Sequence, residues 1–436
     1  QKNNVIKLVL EKDISGNPEK YTLTVNKKEI RITGNSSAGV FYGMQTLRKA
    51  LPVVQANKIE IPSGKVEDSP RFGYHLDVAR HFFPADSIKQ YIDIIALHNV
   101  NRFHWHLSDD QGWRIEIKSR PQLTSVGSCR SQTTGDGKPH CGFYTQEEIR
   151  DIVNYAKERY ITIIPEIDIP GHTAAALASY PELGCTGGPY KVCEVWGGPA
   201  DVLCAGKQET MRFLYDVFSE IVDLFPSEYI HIGGDECPKQ RWQKCQKCQD
   251  KIKELGIVPD SKHSAEQKLQ SYIMVSIENF LAKKGRKVIG WDEILEGGLG
   301  PNATVHSWRG MNGAIEAVNQ GHDAILSPTS HCYFDYDQEK VTPIDKVYAL
   351  NPIPEGIDAV KLSHILGVQA NVWTEYIPIF NRVQFMLLPR LAALSEVQWS
   401  VSERMNYCDF LQRLKHLSQV YDKYGYNYAK VISVFK

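Results

Sequence analysis

Two hydrophobic periodicities divide the chain. Near the start, Tyr21-Thr-Leu-Thr-Val25 and Glu29-Ile-Arg-Ile-Thr33 alternate with period two, as half-buried strands do, and Gly34-Asn35 turns the chain. Val40, Met44, Leu47 and Leu51 then recur at helical spacing behind a capping Ser36 or Ser37, before Pro52 closes the helix. These elements predict a small α+β domain over residues 1–66, with a boundary in Lys65–Pro70.

From Phe72 onward short apolar segments are each followed by a polar loop and usually an amphipathic helix. The predicted strands are Phe72–Val78, Val100–Leu107, Ile161–Ile169, Tyr229–Gly233, Lys287–Trp291, Thr304–Trp308, Asp323–Ser327 and Leu366–Val372. The predicted helices are Asp86–Leu97, Gln146–Arg159, Glu209–Phe225, Ser264–Lys284, Met311–Gln320 and Val383–Trp399. Eight strands alternating with helices predict an α/β fold, a (β/α)8 TIM barrel, over residues 67–436. The crossovers Ile294–Ala303 and Pro328–Ile365 are poor in helix, so the barrel is expected to be slightly irregular there. An open doubly wound sheet is the alternative, but no Gly-x-Gly-x-x-Gly follows the first strand.

Composition narrows the function. With 50 Lys plus Arg against 51 Asp plus Glu the net charge is −1, which argues against a nucleic-acid partner. No apolar run approaches the ~18 residues of a membrane helix, so no transmembrane segment is expected. The ten cysteines fall mostly in loops, the usage of an oxidising compartment; disulfides are expected, with a secreted, periplasmic or cell-surface location and a leader removed before residue 1.

In a barrel, chemistry collects at the carboxyl ends of the strands. Those ends carry Asp77 and Arg80; His104, His106, Asp109 and Asp110; Glu166, Asp168 and His172; Asp235 and Glu236; Trp291, Asp292 and Glu293; Trp308 and Arg309; Trp373 and Glu375. Any one of them could be a satisfied core residue; their joint placement argues for a site. Carboxylates with flat aromatics suit a sugar, whose apolar faces stack on indoles while its hydroxyls bind charged groups. Glycoside cleavage needs a proton donor, and Glu236 is the best candidate, because Asp235 and an aromatic pocket should raise its pKa. Neighbouring strand residues face opposite ways, so Asp235 is not expected to act as an ordinary nucleophile beside Glu236.

The strings Asp77-Val-Ala-Arg-His81, Phe103-His-Trp-His-Leu-Ser-Asp-Asp-Gln-Gly-Trp113, Pro165-Glu-Ile-Asp-Ile-Pro-Gly-His172, His231-Ile-Gly-Gly-Asp-Glu236 and Gly290-Trp-Asp-Glu293 resemble glycoside hydrolase family 20, the β-N-acetylhexosaminidases, in unbroken order; chain start and loops look most like Bacteroides-type bacterial enzymes. The resemblance implies exo-acting, retaining hydrolysis of terminal β-linked GlcNAc or GalNAc from an oligosaccharide or glycoconjugate, with the substrate's own acetamido oxygen as nucleophile. It implies Glu236 as acid and base, Asp235 as acceptor of the acetamido N–H, and Tyr333 as donor to the acetamido oxygen. Trp291, Trp308 and Trp373 would wall the acetamido methyl, and Arg80, Asp335 and Glu375 would hold ring hydroxyls. Asp168, His172 and Asp109 would tune and orient the acid. No cofactor and no metal are implied, and oligomeric state is left open.

Two other readings compete. A carbohydrate-binding protein that lost turnover would keep the pocket, although the intact Asp235 and Glu236 argue against it. A metal-dependent amidohydrolase would use His104 and His106, but strands four and five end in Asp235-Glu236 and Trp291-Asp292 instead of further ligands. Cys245-x-x-Cys248 is half of a zinc or redox pattern; with no second pair at zinc spacing, a structural bridge or two idle thiols is expected.

Overall fold

The computed structural model describes residues 5–12, 16–53, 61–68, 73–400 and 402–430. The small unit is a four-stranded sheet in which Val5–Leu10 runs parallel to Glu29–Gly34, which pairs with Tyr21–Val25, which pairs with Gly64–Asp68. The helix Ser37–Ala50 covers it, capped by Ser36 Oγ accepting from the Ala38 N–H. Tyr21, Leu23, Ile32, Val40, Tyr42 and Leu47 form its core, whereas Met44, expected on that face, is 44% exposed. The two outer strands were not legible. Gly64–Asp68 lies in the expected boundary and is joined by backbone pairing at a polar edge, which leaves no apolar alternation to read. Phe72 and residues 69–70 fall outside the described residues.

All eight barrel strands are present and parallel, in chain order, as Gly73–Asp77, Arg102–His106, Thr162–Glu166, Tyr229–His231, Lys287–Trp291, Thr304–Ser307, Ala324–Leu326 and Ile365–Val368. The first and last meet through a Tyr74 to Ala370 bridge, with the His75 N–H donating to Ala370 O at 2.9 Å. Continuous burial of Gly73–Asp77 is what a parallel strand covered on both faces requires. Helices begin where caps predict: Thr145 and Ser264 form capping boxes with Glu148 and Gln267 ahead of Gln146–Lys157 and Ala265–Lys283. The expected helix Val383–Trp399 is two, Phe380–Leu387 and Arg390–Trp399, divided at Pro389, which lacks the N–H an unbroken helix needs. The two weak crossovers carry only short helical turns, Asp292–Leu295 in one and Thr329–Cys332, Ile344–Tyr348 and Ala359–His364 in the other.

Period-two geometry sorts the barrel interior into layers. Ile164, Ile289 and Ile325 form an apolar layer. Two residues further along the same strands come Glu166 and Trp291, so the next layer, towards the carboxyl ends, is polar and aromatic.

Above that layer, Arg114 is completely buried and anchors the first strand's exit. Its guanidinium donates to the carbonyls of Val78 (3.0 Å), Ala79 (2.7 Å), Ser128 (2.7 Å) and Gly142 (3.0 Å). Arg114→Ala would strand four carbonyls and is expected to cost on the order of 3 kcal/mol. Urea unfolding checks this, and a loss below about 1 kcal/mol, an ordinary surface effect, would contradict it.

Candidate active site

At the carboxyl ends of the strands lies a cavity of about 380 Å³, lined by Arg80, Asp235, Glu236, Trp291, Trp308, Tyr333, Asp335, Tyr336, Trp373, Glu375, Tyr376 and Ile377. Every residue predicted to hold substrate or do chemistry is on that wall. Trp291 and Trp373 lie 5.8 Å apart between ring centres, Trp308 and Tyr333 6.2 Å, and Tyr333 and Trp373 6.4 Å, so four rings make a box.

Asp235 and Glu236 stand beyond the strand, which ends at His231. The opposite-face argument therefore does not apply: both carboxylates border the cavity, and His172 Nε2 lies 3.6 Å from each. The turn that brings them there needs glycine. Gly233 has φ +66°, and a Cβ on it would fall 1.6 Å from Asp168 Oδ1. Glu236 (φ +45°) and His172 (φ +51°) are also left-handed without being glycine. Such backbone costs about 1–3 kcal/mol per residue and concentrates at functional sites.

The supporting trio stands behind the wall. His172 Nδ1 lies 3.2 Å from Asp109 Oδ1 and 3.4 Å from Asp110 Oδ2. Burial disfavours a charged His172, but Asp109 and Asp235 outweigh it and hold its pKa well above the ordinary value. Asp109 also takes Arg80 Nη2 and His106 Nε2, each at 2.9 Å. Asp168 holds the glycine turn instead, accepting the Gly234 N–H at 3.2 Å, and burial with the nearby Asp235 raises its pKa well above the usual carboxylate value.

Glu236 departs from expectation. Its side chain is 60% exposed, and the His172 contact lowers its pKa instead of raising it. Upward shifts fall on its neighbours: burial raises Asp235, pushes Asp335 up to about 7 and pushes Glu293 up to about 8.

Glu293, which closes the Gly290-Trp-Asp-Glu293 string, has a structural role that the string does not show. It accepts the Trp308 indole N–H at 2.9 Å and so sets one wall of the box. Arg80 is aimed by Asp77, Asp109 and Gln111 and packs 4.9 Å above Trp373. Tyr336 and Tyr376 follow Asp335 and Glu375 directly, and that adjacency was the available signal for them. Asp235 Oδ1 and Asp335 Oδ1 are buried oxygens that accept no hydrogen bond from the protein.

His104 and His106 do not border the cavity. Both turn into the barrel towards Glu166: His104 Nε2 is 2.9 Å from its Oε2, and His106 Nδ1 contacts the same oxygen. The imidazoles of an amidohydrolase reading are thus engaged with a carboxylate below the site.

Fold and site together define a parallel eight-stranded barrel with a cavity of carboxylates, an arginine and tryptophans at the carboxyl ends of its strands. The chain belongs to glycosyl hydrolase family 20, whose catalytic-domain model matches residues 71–402 and whose domain 2 model matches residues 1–69. The beta-hexosaminidase of Porphyromonas gingivalis is 46% identical over 430 residues, 94% of this chain and 54% of that protein, so the chain spans about half the length of that relative. The beta-hexosaminidase of Akkermansia muciniphila is 34% identical over 93% of this chain and 85% of its own length. Among solved structures, the exo β-N-acetylglucosaminidase of Vibrio harveyi in complex with N-acetylglucosamine superposes with a TM-score of 0.87 at 33% identity, covering 98% of this chain and 69% of that one. A β-N-acetylhexosaminidase crystal structure superposes at 0.89 and 30% identity, covering 99% and 94%.

The Glu293 shift has a measurable consequence. A carboxyl raised in the fold favours the folded state while protonated; that contribution is complete below the ordinary value of 4.5 and is lost as pH rises through about 8. Glu293→Gln keeps an acceptor for Trp308 but does not titrate. Stability measured from pH 4 to 9 should therefore fall more steeply in the unmodified protein than in the variant, and parallel curves would contradict the buried, proton-holding Glu293.

Proposed function

We propose that this chain is an exo-acting, retaining β-N-acetylhexosaminidase that removes terminal non-reducing β-linked GlcNAc or GalNAc by substrate-assisted catalysis. The observation that carries the reading is the pair Asp235 and Glu236, both 3.6 Å from one imidazole nitrogen and opening onto a box of three tryptophans and a tyrosine. A box of that size and polarity suits an acetamido methyl, and family membership supplies the precedent.

The roles follow from position. Glu236 protonates the leaving oxygen and later takes a proton from water. In the open site His172 holds it ionised; a sugar seated over it excludes water, which raises the pKa towards that of a donor. Asp235, buried and hydrogen-bond-free at Oδ1, accepts the acetamido N–H, aligning the carbonyl oxygen for attack on the anomeric carbon and stabilising the oxazolinium charge. Tyr333 donates its hydroxyl to the acetamido oxygen. Trp291, Trp308 and Trp373 surround the methyl, while Arg80, Asp335 and Glu375 take ring hydroxyls in charge-assisted bonds that grip the non-reducing end. Asp109, through His172, keeps a positive charge beside both catalytic carboxylates, and Asp168 fixes their turn. The expected location outside the cytoplasm is part of the same proposal.

The test separates the two carboxylates. Glu236→Gln should lose about 10²- to 10⁴-fold on a substrate with a poor leaving group and much less on an activated aryl glycoside. Asp235→Asn should impair both, because the acetamido oxygen bonds to the anomeric carbon as the glycosidic bond breaks, whichever group leaves. Equal loss on both substrates for Glu236→Gln, or an unimpaired Asp235→Asn, would overturn the assignment.

A further inference from the structure

Four cysteines from two separate excursions of the chain meet without bonding to one another. Cys185 follows the turn Pro181–Leu183, Cys204 lies in the same long loop, and Cys245 and Cys248 stand at the start of the helix Gln246–Glu254. Their sulfurs all lie within 4.8 Å of one another, with Cys204 to Cys248 at 3.5 Å, Cys204 to Cys245 at 3.7 Å and Cys185 to Cys248 at 3.9 Å. Cys245 and Cys248 are free, so the expected structural bridge between them is not formed; no second pair stands at zinc spacing, and the cysteines that join them lie 41 residues or more away in the chain.

The distances discriminate between two arrangements. A disulfide brings two sulfurs to about 2.05 Å and leaves other sulfurs unconstrained. Four thiolates at about 2.3 Å from one tetrahedral zinc lie about 3.8 Å apart, each near the other three. Here Cys204 is within 3.7 Å of two sulfurs and Cys248 within 3.9 Å of two, so no exclusive pairing is marked. Cys204, Cys245 and Cys248 are buried, and Cys185 is partly so.

We propose that Cys185, Cys204, Cys245 and Cys248 bind a single structural zinc ion, releasing their thiol protons as it enters. The surroundings suit a negative cluster. Lys207 Nζ, 2.6 Å from the carbonyls of Glu182 and Gly184, brings a positive charge. Cys245 and Cys248 occupy the N-terminus of a helix, where the backbone favours thiolate. Close docking is built in, because a Cβ on Gly206 would come within 2.2 Å of the Lys247 backbone.

The ion ties the loop after the third strand to the excursion after the fourth. That first loop also carries Val195, whose carbonyl accepts from Gln111 at 3.1 Å, and Trp196, which packs 6.3 Å from Tyr376 at the cavity rim. An ion there would restrain the loop that brings Trp196 to Tyr376 at the cavity rim.

Elemental analysis of the full chain, purified without chelator, should find one zinc per molecule. Iodoacetamide should spare these four cysteines in the folded protein and label all four after denaturation with chelator but without reductant. Cobalt exchanged into the site should give the thiolate charge-transfer and intense d–d absorption of tetrahedral sulfur coordination. Metal-free protein whose peptide map shows two disulfides among the four, metal-free protein with four free thiols, or iron in place of zinc would each overturn the proposal.

Discussion

A carboxylate sealed inside the barrel must be neutralised where it stands, and that constraint at Glu166 organises everything above it. Glu166 is fully buried, with His104 and His231 nitrogens each 2.9 Å away, His106 in contact and the Trp291 indole donating at 2.9 Å. Burial would raise its pKa, but the imidazoles of His231, His106 and His104 hold it well below the ordinary value. The same partners set the floor of the cavity, since the indole that satisfies Glu166 is one wall of the aromatic box.

From that centre, charge alternates outward. Against the penalty of burial, Glu166 and Asp109 raise the pKa of His106, which joins the two carboxylates. Asp109 in turn meets Arg80 and His172, and His172 reaches Asp235 and Glu236. Each member alone would be a costly buried charge; in sequence, every carboxylate meets a cation. The strained backbone at His172 and Glu236 is held by this over-determined surrounding.

How much of this was legible follows from the kind of signal each part leaves. Barrel strands are buried on both faces and read as apolar runs, so all eight were visible, whereas the edge strand Gly64–Asp68 and the break at Pro389 depend on pairing and on one missing N–H. The cavity residues were legible because barrel topology turns strand ends into neighbours, and the motifs named which of them to expect. Glu166 stood among those strand ends, yet its place as hub was hidden, because which imidazoles surround it depends on inter-strand register. Glu236's lowered pKa was missed for a related reason: nothing in the string Gly-Gly-Asp235-Glu236 shows that it projects half into solvent beside a charged His172. The four-cysteine cluster was missed because its members are far apart in the chain.

The central claim is that the sugar's own acetamido group, oriented by Asp235, is the nucleophile. It is tested most directly by comparing rates on two aryl β-glycosides that differ only at carbon 2, acetamido in one and hydroxyl in the other. The account predicts turnover of the acetamido sugar and essentially none of the hydroxyl sugar. Comparable cleavage of both would show that the acetamido group is not the nucleophile, whether an enzyme group or water takes its place, and would contradict it.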